Sequence, residues 1–212
     1  QFGSWATGDY KNLSNFSDQM NNHLSKGQQG TPTPGGQGSG DLSSTGNNNY
    51  GGIRFYSQAS FLGNHSMGGS NVKDSGCALA VAKMILSFLG RNVDDMALYK
   101  SVNQYRLKDN SVSMGFFSTF LGGQLTSQLR DLIGAINYKG AAASILVRKG
   151  RGYHFVALLN YNGKILYGDP EAGNFEDITN NMGLLGGFIQ AAVFNSPYIM
   201  TNMTNIARVG GK

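Results

Sequence analysis

Apolar residues are spaced as in helices in the earlier part of the core domain and as in strands in its later part. In the earlier part, the run 77–89 is apolar on nearly every side and is followed by Gly90, which predicts a buried helix. The segment 93–105 predicts a second helix, with Asp94 and Asp95 in its first turn, where carboxylates favour the helix dipole. Residues around 125–136 predict a third helix with a Thr or Ser cap.

The later segments have the composition and boundaries of strands. The predicted strands are 141–149, 154–161, 164–170 and 186–195, and a shorter one is predicted earlier, at 53–58. Asn162-Gly163 separates the second from the third and is a strong signal for a two-residue hairpin turn. Helices followed by an antiparallel sheet predict an α+β fold.

The chain divides into four parts by composition. Residues 1–26 carry spaced apolar residues and are interpreted as the end of an upstream domain or a docking segment. Residues 27–52 form a Gly/Ser/Pro-rich linker with too little apolar surface to order itself. The core domain is predicted at 53–196, followed by a tail at 197–212. The apolar residues near its end are interrupted by glycines and by Gln190, so no stable membrane span is expected.

Composition narrows the possible partners. The chain has 212 residues, a net charge of +5 and a pI near 9.3, yet only 14% of its residues are charged. It contains no Lys/Arg block, so no nucleic-acid partner is expected. Mild basicity suits an anionic polymer such as a bacterial cell wall, and it fits a basic protein without a charged partner as well. With one cysteine and three scattered histidines, neither a disulfide nor a metal site is expected, and no cofactor is predicted.

The predicted hairpin brings two polar side chains together. A two-residue loop pairs Tyr161 with Lys164, which sets Asp169 opposite Val156. Side chains alternate along a strand, so His154 shares a face with Val156 and lies diagonally from Asp169. A three-residue loop would reverse this parity. A histidine held by a carboxylate is the usual general base of a catalytic site.

Cys77 opens the predicted buried helix, where the positive end of the helix dipole favours a thiolate. A thiolate there can attack a carbonyl while His154 protonates the leaving amine. The order Cys77, His154, Asp169 is the papain-like order. Each residue alone also has a structural interpretation: an inert core cysteine, a packed histidine, an ordinary turn. Tyr153 can line a cleft or simply pack, and His65 and His23 are interpreted as surface residues.

Two segments resemble a known family of enzymes. They carry Tyr56-x-Gln58 and Ser75-Gly76-Cys77, then His154-Phe155-Val156 and Gly168-Asp169-Pro170. These resemble the motifs of papain-like cysteine peptidases related to bacteriocin double-glycine leader peptidases. The most similar are the stand-alone forms in bacterial cell-wall hydrolases and in phage lytic or tail-tip proteins. The resemblance covers about residues 53–195. It implies a papain-like fold in which a buried helix carrying the cysteine packs on an antiparallel sheet carrying His and Asp.

The resemblance also implies an oxyanion hole. Its donors are expected to be Gln58 and the backbone N–H of Cys77, and Asn71 and Asp74 are rivals because they lie nearer to the cysteine in sequence. Two departures from the family pattern are visible. Ala78-Leu79-Ala80 stands where the family has Gly-Pro-Thr, which changes the first turn of the helix, and Gly168 stands where the family has Asn.

The expected function is that of a cysteine endopeptidase acting on stem or cross-bridge peptides of peptidoglycan. The enzyme is expected outside the cell or on a virion, at the bacterial wall, with an upstream glycan-cleaving or structural domain on the same polypeptide. Two alternatives remain open at this point. One is a peptidase that processes double-glycine leader peptides, and the other is a structural module of a virion or cell surface that has the fold without activity.

Overall fold

The computed structural model describes residues 53–91 and 93–196. The segment 1–26, the linker 27–52 and the tail 197–212 proposed above lie outside the described residues. The helices are α1 (Val72–Ser75), α2 (Cys77–Phe88), α3 (Asp95–Gln104) and α4 (Leu129–Ile136), with a π-helical turn at Phe116–Phe120 and a 3₁₀ turn at Met182–Leu185. The strands are β1 (Ser66–Met67), β2 (Ser70–Asn71), β3 (Gln124–Thr126), β4 (Ala142–Lys149), β5 (Gly152–Tyr161), β6 (Lys164–Gly168), β7 (Phe175–Asp177) and β8 (Phe188–Phe194).

Six of the strands in the described part of the chain form an antiparallel sheet. Their order is β3-β8-β4-β5-β6-β7, and β1 and β2 form a small separate hairpin before α1. The mixed α+β class predicted from the sequence is therefore confirmed. None of the helices within residues 53–91 and 93–196 has the length and apolarity needed to cross a membrane.

Helix α2 is the central packing element on one face of the sheet. Its sequence is rich in Ala, Leu and Met, which are strong helix formers. Eight of its residues are buried: Ala78, Leu79, Ala80, Val81, Ala82, Met84, Ile85 and Leu86. Full burial stabilises by roughly 1.5–3 kcal/mol for each large aliphatic side chain, so this helix is held mainly by its core contacts. The predicted buried helix is confirmed, and it ends one residue earlier than predicted.

The two faces of the sheet pack against different helices. Along β5, Phe155, Ala157 and Leu159 join the apolar cluster that contains α2. The alternate residues Val156 and Leu158 join a second cluster that contains α4. This is the period-two alternation expected of a strand covered on both sides.

The hairpin between β5 and β6 has the predicted register. Tyr161 pairs with Lys164, and the two turn residues Asn162 and Gly163 have φ angles of 52° and 84°. Positive φ at both central positions is the geometry of a type I′ turn, which asparagine and glycine favour. Regular pairing ends at Ala157 and Gly168, just before the predicted site residues begin.

Two predicted elements are wrong in detail. Residues 53–58 do not form a strand: Ile53 makes an isolated bridge, and a turn follows, in which the N–H of Phe61 donates to the carbonyl of Ser57. The predicted helix at 125–136 begins only at Leu129, because Gln124–Thr126 pair with β8 as an edge strand. Its predicted Thr or Ser cap is also wrong, since the N-cap is Gln128 and its side chain makes no capping hydrogen bond.

The second helix agrees better with its prediction. Asp94 is the N-cap of α3, and its Oδ1 accepts the N–H of Ala97 at 2.8 Å. Asp95 lies in the first turn, and its carboxylate contacts the Nζ of Lys83 on α2 at 2.5 Å. The two carboxylates thus complement the helix dipole and also join α3 to the helix that carries the cysteine.

Candidate active site

Cys77 is the first residue of α2. Gly76 is the C-cap of α1, and its N–H donates to the carbonyl of Val72 at 2.7 Å. The same residue is the N-cap of α2. A side chain at position 76 would place its Cβ 2.4 Å from that same carbonyl oxygen, so this junction requires glycine. The glycine offers no side chain to cap α2, so no capping side chain accepts the N–H groups of the first turn, including that of Cys77. The thiol itself is partly exposed.

The three residues that depart from the family pattern belong to the core. Ala78, Leu79 and Ala80 are all fully buried in the cluster on the α2 face. The first turn is regular, because the N–H of Ala80 donates to the carbonyl of Gly76 at 3.0 Å. The helix start is therefore regular with Ala78-Leu79-Ala80 at these positions.

His154 and Asp169 are in direct contact. The Nε2 of His154 lies 2.7 Å from Oδ1 of Asp169, and the residue is only 4% exposed. The backbone N–H of Glu171 donates to the same oxygen at 2.9 Å, which fixes the carboxylate as it leaves β6. The diagonal contact predicted from the hairpin register is confirmed.

Cys77 lies near this pair. Val156 belongs to the α4 cluster, so strand alternation predicts that His154 faces the same side, whereas Cys77 packs with the α2 cluster. The Cys77 side chain nevertheless lies close enough to His154 to raise the pKa of the imidazole. Strand β6 pairs with β5 only as far as Ala157, so the edge of β5 is open beside His154 and its ring can contact both layers. Because Nε2 faces Asp169, Nδ1 is the nitrogen left for the thiol.

The electrostatics of the pair favour an imidazolium. Burial alone lowers the pKa of His154, but the hydrogen bond to Asp169 and the hydrogen bond and charge of Cys77 outweigh it and raise the pKa to about 9. Burial likewise raises the pKa of Asp169, and the hydrogen bonds from His154 and from the Glu171 N–H outweigh it and lower that pKa to about 2. The imidazole is therefore charged at neutral pH, next to the Asp169 carboxylate and close to Cys77.

Gln58 lies between the two halves of the site. Its backbone N–H donates to the carbonyl of Pro170 at 3.2 Å, and its side-chain Nε2 donates to the carbonyl of Lys73 at 2.9 Å. These bonds join the turn that carries Asp169 to the short helix that precedes Cys77. The residue is 5% exposed, and its Oε1 has no partner within the described residues. One Nε2 proton remains for an oxyanion, because the amide has two N–H groups.

The two rivals of Gln58 are engaged elsewhere. Oδ1 of Asn71 caps α1 by accepting the N–H of Asp74 at 3.1 Å. The carboxylate of Asp74 accepts the hydroxyl of Ser70 at 3.3 Å. Both side chains therefore organise the start of α1, and Gln58 stays the predicted oxyanion donor.

Three charged residues near the site were not singled out from the sequence. Lys149 contacts Oδ2 of Asp169 at 3.3 Å and Oε2 of Glu171 at 2.6 Å. The guanidinium of Arg106 packs on Gly68. Burial lowers the pKa of Arg106, while the charges of Tyr99 and Cys77 act in the opposite direction, so its charge lies within electrostatic range of Cys77. The Lys149 contact follows from pairing β4 with β5, which the sequence interpretation did not attempt.

Gly168 has a steric explanation in the structure. A Cβ at this position would lie 2.8 Å from the Phe175 ring and 3.1 Å from the sulfur of Met84. The phenylalanine of β7 and the methionine of α2 thus fill the space beside this glycine. An asparagine there requires both of them to move, so the second departure from the family pattern reflects core packing beside the site.

Other polar residues have structural roles. His65 is exposed and makes an edge contact with Tyr99, in agreement with its interpretation as a surface histidine. Tyr153 is 57% exposed and lies over the guanidinium of Arg148, its partner across the strands. His154, Asp169 and Glu171 bring ligand atoms within 4.8 Å of one another. The Lys149 ammonium already contacts both carboxylates, so the cluster is charge-balanced without a metal.

No known protein-family model matches the chain, and no curated protein matches its sequence. The geometry of Cys77, His154 and Asp169 therefore carries the functional argument on its own.

The His154–Asp169 pair predicts how stability depends on pH. Asp169 has a pKa of about 2 in the folded protein against an ordinary 3.8. Its contribution to the free energy of unfolding is therefore complete above pH 3.8 and is lost as the pH falls toward 2. His154 has a folded pKa of about 9 against an ordinary 6.5, so its contribution is full below 6.5 and is lost as the pH rises toward 9. Asp169→Asn should therefore reduce the free energy of unfolding most between about pH 4 and 6.5.

Denaturant unfolding of the two proteins at pH 3, 5.5 and 9 checks this expectation. The difference in free energy of unfolding should be largest at pH 5.5 and smaller at both extremes. A difference that is constant across the three values would contradict the ion pair. Lys164→Met, which breaks an exposed ion pair with Asp177 on β6 and β7, is a matched control with a small expected effect.

Proposed function

We propose that this chain is a papain-like cysteine endopeptidase that hydrolyses peptide bonds in bacterial peptidoglycan. The observation that carries the proposal is the 2.7 Å contact of His154 with Asp169, beside a cysteine at a helix start that raises the pKa of the imidazole. In that arrangement a cysteine at a helix start, an imidazole and an orienting carboxylate occupy the positions that nucleophilic catalysis requires.

The residues divide the reaction between them. The Cys77 thiolate attacks the carbonyl carbon, and the developing oxyanion is bound by the N–H of Cys77 and the amide of Gln58. The His154 imidazolium gives its proton to the leaving amine as the C–N bond breaks, which leaves an acyl-enzyme. Neutral His154 then takes a proton from water, whose hydroxyl attacks the thioester. Release of the carboxylic acid restores the thiolate and the imidazolium, while Asp169 keeps the ring oriented throughout.

Charge and the motif resemblance support the choice of substrate. A net charge of +5 with few charged residues suits an anionic wall polymer. The resemblance to stand-alone peptidases of wall hydrolases and phage tail proteins points to the same substrate. We accordingly place the protein outside the cell or on a virion, acting beside an upstream glycan-cleaving or structural domain of the same polypeptide.

Purified peptidoglycan provides the test. The wild-type protein should release new amino groups from it without new reducing ends, and Cys77→Ala should release none. Cys77 is the only cysteine in the chain, so iodoacetamide alkylation reports on it alone. Rapid alkylation at pH 6 without wall hydrolysis would redirect the search to other peptides, including Gly-Gly leader sequences. Slow alkylation together with no hydrolysis would instead favour a structural module without activity.

A further inference from the structure

The catalytic histidine lies next to a second carboxylate that the proposed mechanism does not use. Oε1 of Glu171 is 3.8 Å from Nδ1 of His154, the ring nitrogen left for Cys77. This separation is beyond hydrogen-bond range but within range of an ion pair. A shift of about 1 Å would bring it within hydrogen-bonding distance of Nδ1.

A lysine contacts the other oxygen of this carboxylate. The ammonium of Lys149 lies 2.6 Å from Oε2 of Glu171 and 3.3 Å from Oδ2 of Asp169. It therefore spans both carboxylates, with Glu171 bound the more closely. Lys149 is at the end of β4, which is paired residue by residue with β5, so its backbone is fixed relative to His154.

We propose that Lys149 is a positioning residue that keeps Glu171 from capturing Nδ1 of His154 and so reserves that nitrogen for the Cys77 thiol. Without the ammonium, the Glu171 carboxylate is free to accept a charge-assisted hydrogen bond from the imidazolium. The thiolate then loses its partner, and Cys77 becomes less reactive. This inference rests on the proposed function of Cys77 and His154 and adds a control on it.

Three physical considerations support this role. Glu171 and Lys149 are both about half exposed, at 46% and 49%, so their side chains have room to rearrange. Asp169 is held by His154 and by the Glu171 N–H and does not depend on the lysine alone. The two possible effects of Lys149 on His154 also have opposite signs. As a mere nearby positive charge it disfavours the imidazolium, whereas as a restraint on Glu171 it preserves the contact of the imidazolium with the thiol.

The rate of Cys77 alkylation by iodoacetamide at pH 6 tests the proposal without any peptide substrate. Lys149→Met should slow it by about tenfold, because a charge-assisted hydrogen bond to Glu171 replaces the one to the thiol. Lys149→Arg should keep the rate near that of the wild type, since a guanidinium can hold both carboxylates. The double variant Lys149→Met with Glu171→Gln should regain most of the lost rate, because a neutral amide competes weakly for an imidazolium.

Glu171→Gln alone completes the double-mutant cycle and gives the coupling between the two positions. Lys164→Met, which removes an exposed lysine from the ion pair with Asp177, is the matched control and should alkylate at the wild-type rate. Thermal unfolding of each variant shows whether a slow rate reflects loss of the fold.

The outcomes separate this proposal from the proposed function. A double variant as slow as Lys149→Met would mean that the lysine acts on Asp169 and not through Glu171. A faster rate in Lys149→Met would mean that it acts only as a nearby charge. Either result overturns the role of Lys149 and leaves the catalytic assignment standing. A wild-type rate no faster than that of His154→Gln would overturn both.

Discussion

Replacement of His154 by glutamine should abolish measurable hydrolysis and also slow the alkylation of Cys77. Glutamine is close in size to histidine, so the buried site remains filled, but its amide cannot transfer a proton near neutral pH and carries no positive charge. General acid–base catalysis contributes about 10²–10⁴ to such reactions, and that contribution is lost in full.

The alkylation result is the more diagnostic of the two. An ordinary thiol with a pKa near 8.5 is less than about 1% ionised at pH 6, so the variant should alkylate slowly there. The wild type keeps an imidazolium beside the thiol, because the pKa of His154 is raised to about 9. We expect a decrease in rate on the order of tenfold to a hundredfold at pH 6, and little difference at pH 9.5. Equal rates at pH 6 would show that His154 does not activate Cys77.

Replacement of Gln58 by alanine should lower hydrolysis without slowing the alkylation of Cys77. The loss of one oxyanion donor lowers kcat by about 10²–10³, because the donor acts on charge that develops only in the transition state. Alkylation by iodoacetamide forms no oxyanion, so the rate at pH 6 should stay close to that of the wild type. This split between hydrolysis and alkylation distinguishes an oxyanion donor from a residue that only holds the site together.

Gln58 also has a structural role that the experiment must separate. Its side chain donates to the carbonyl of Lys73, and alanine leaves that carbonyl without its partner. Gln58→Glu is the companion variant, since it keeps the size of the side chain and replaces the N–H groups by acceptor oxygens. Both variants should lose hydrolysis, and both should unfold at lower denaturant concentration. A Gln58→Ala variant that loses hydrolysis and alkylation in equal measure would argue against the oxyanion role.

The contact between His154 and Asp169 was predictable from the sequence because it depends on residues close together in the chain. Asn162-Gly163 determines a two-residue turn, the turn determines the register, and the register brings His154 and Asp169 together. The start of the buried helix was predictable in the same way, from a polar turn followed by apolar helix formers. The segment 53–58 was not, because Gln58 makes its hydrogen bonds to distant residues, at Pro170 and Lys73, instead of to a neighbouring strand.

The start of α4 illustrates the same limit. Residues 124–126 continue the apolar pattern of the helix that follows, yet they pair with β8, a strand that lies more than sixty residues later in the chain. Pairing over such a separation overrides local propensity, and no window of sequence around residue 125 contains the partner.

The sequence by itself thus determined the α+β class, the buried helix that begins at Cys77 and the pairing of His154 with Asp169, since each depends on residues close together in the chain. Only the tertiary structure brought Cys77 close enough to His154 to raise its pKa, near the point where the pairing of β5 with β6 ends. It alone also placed Lys149 and Glu171 against the site. These contacts depend on where strands end and how layers pack, which is settled by the burial of the whole core and not by any local pattern.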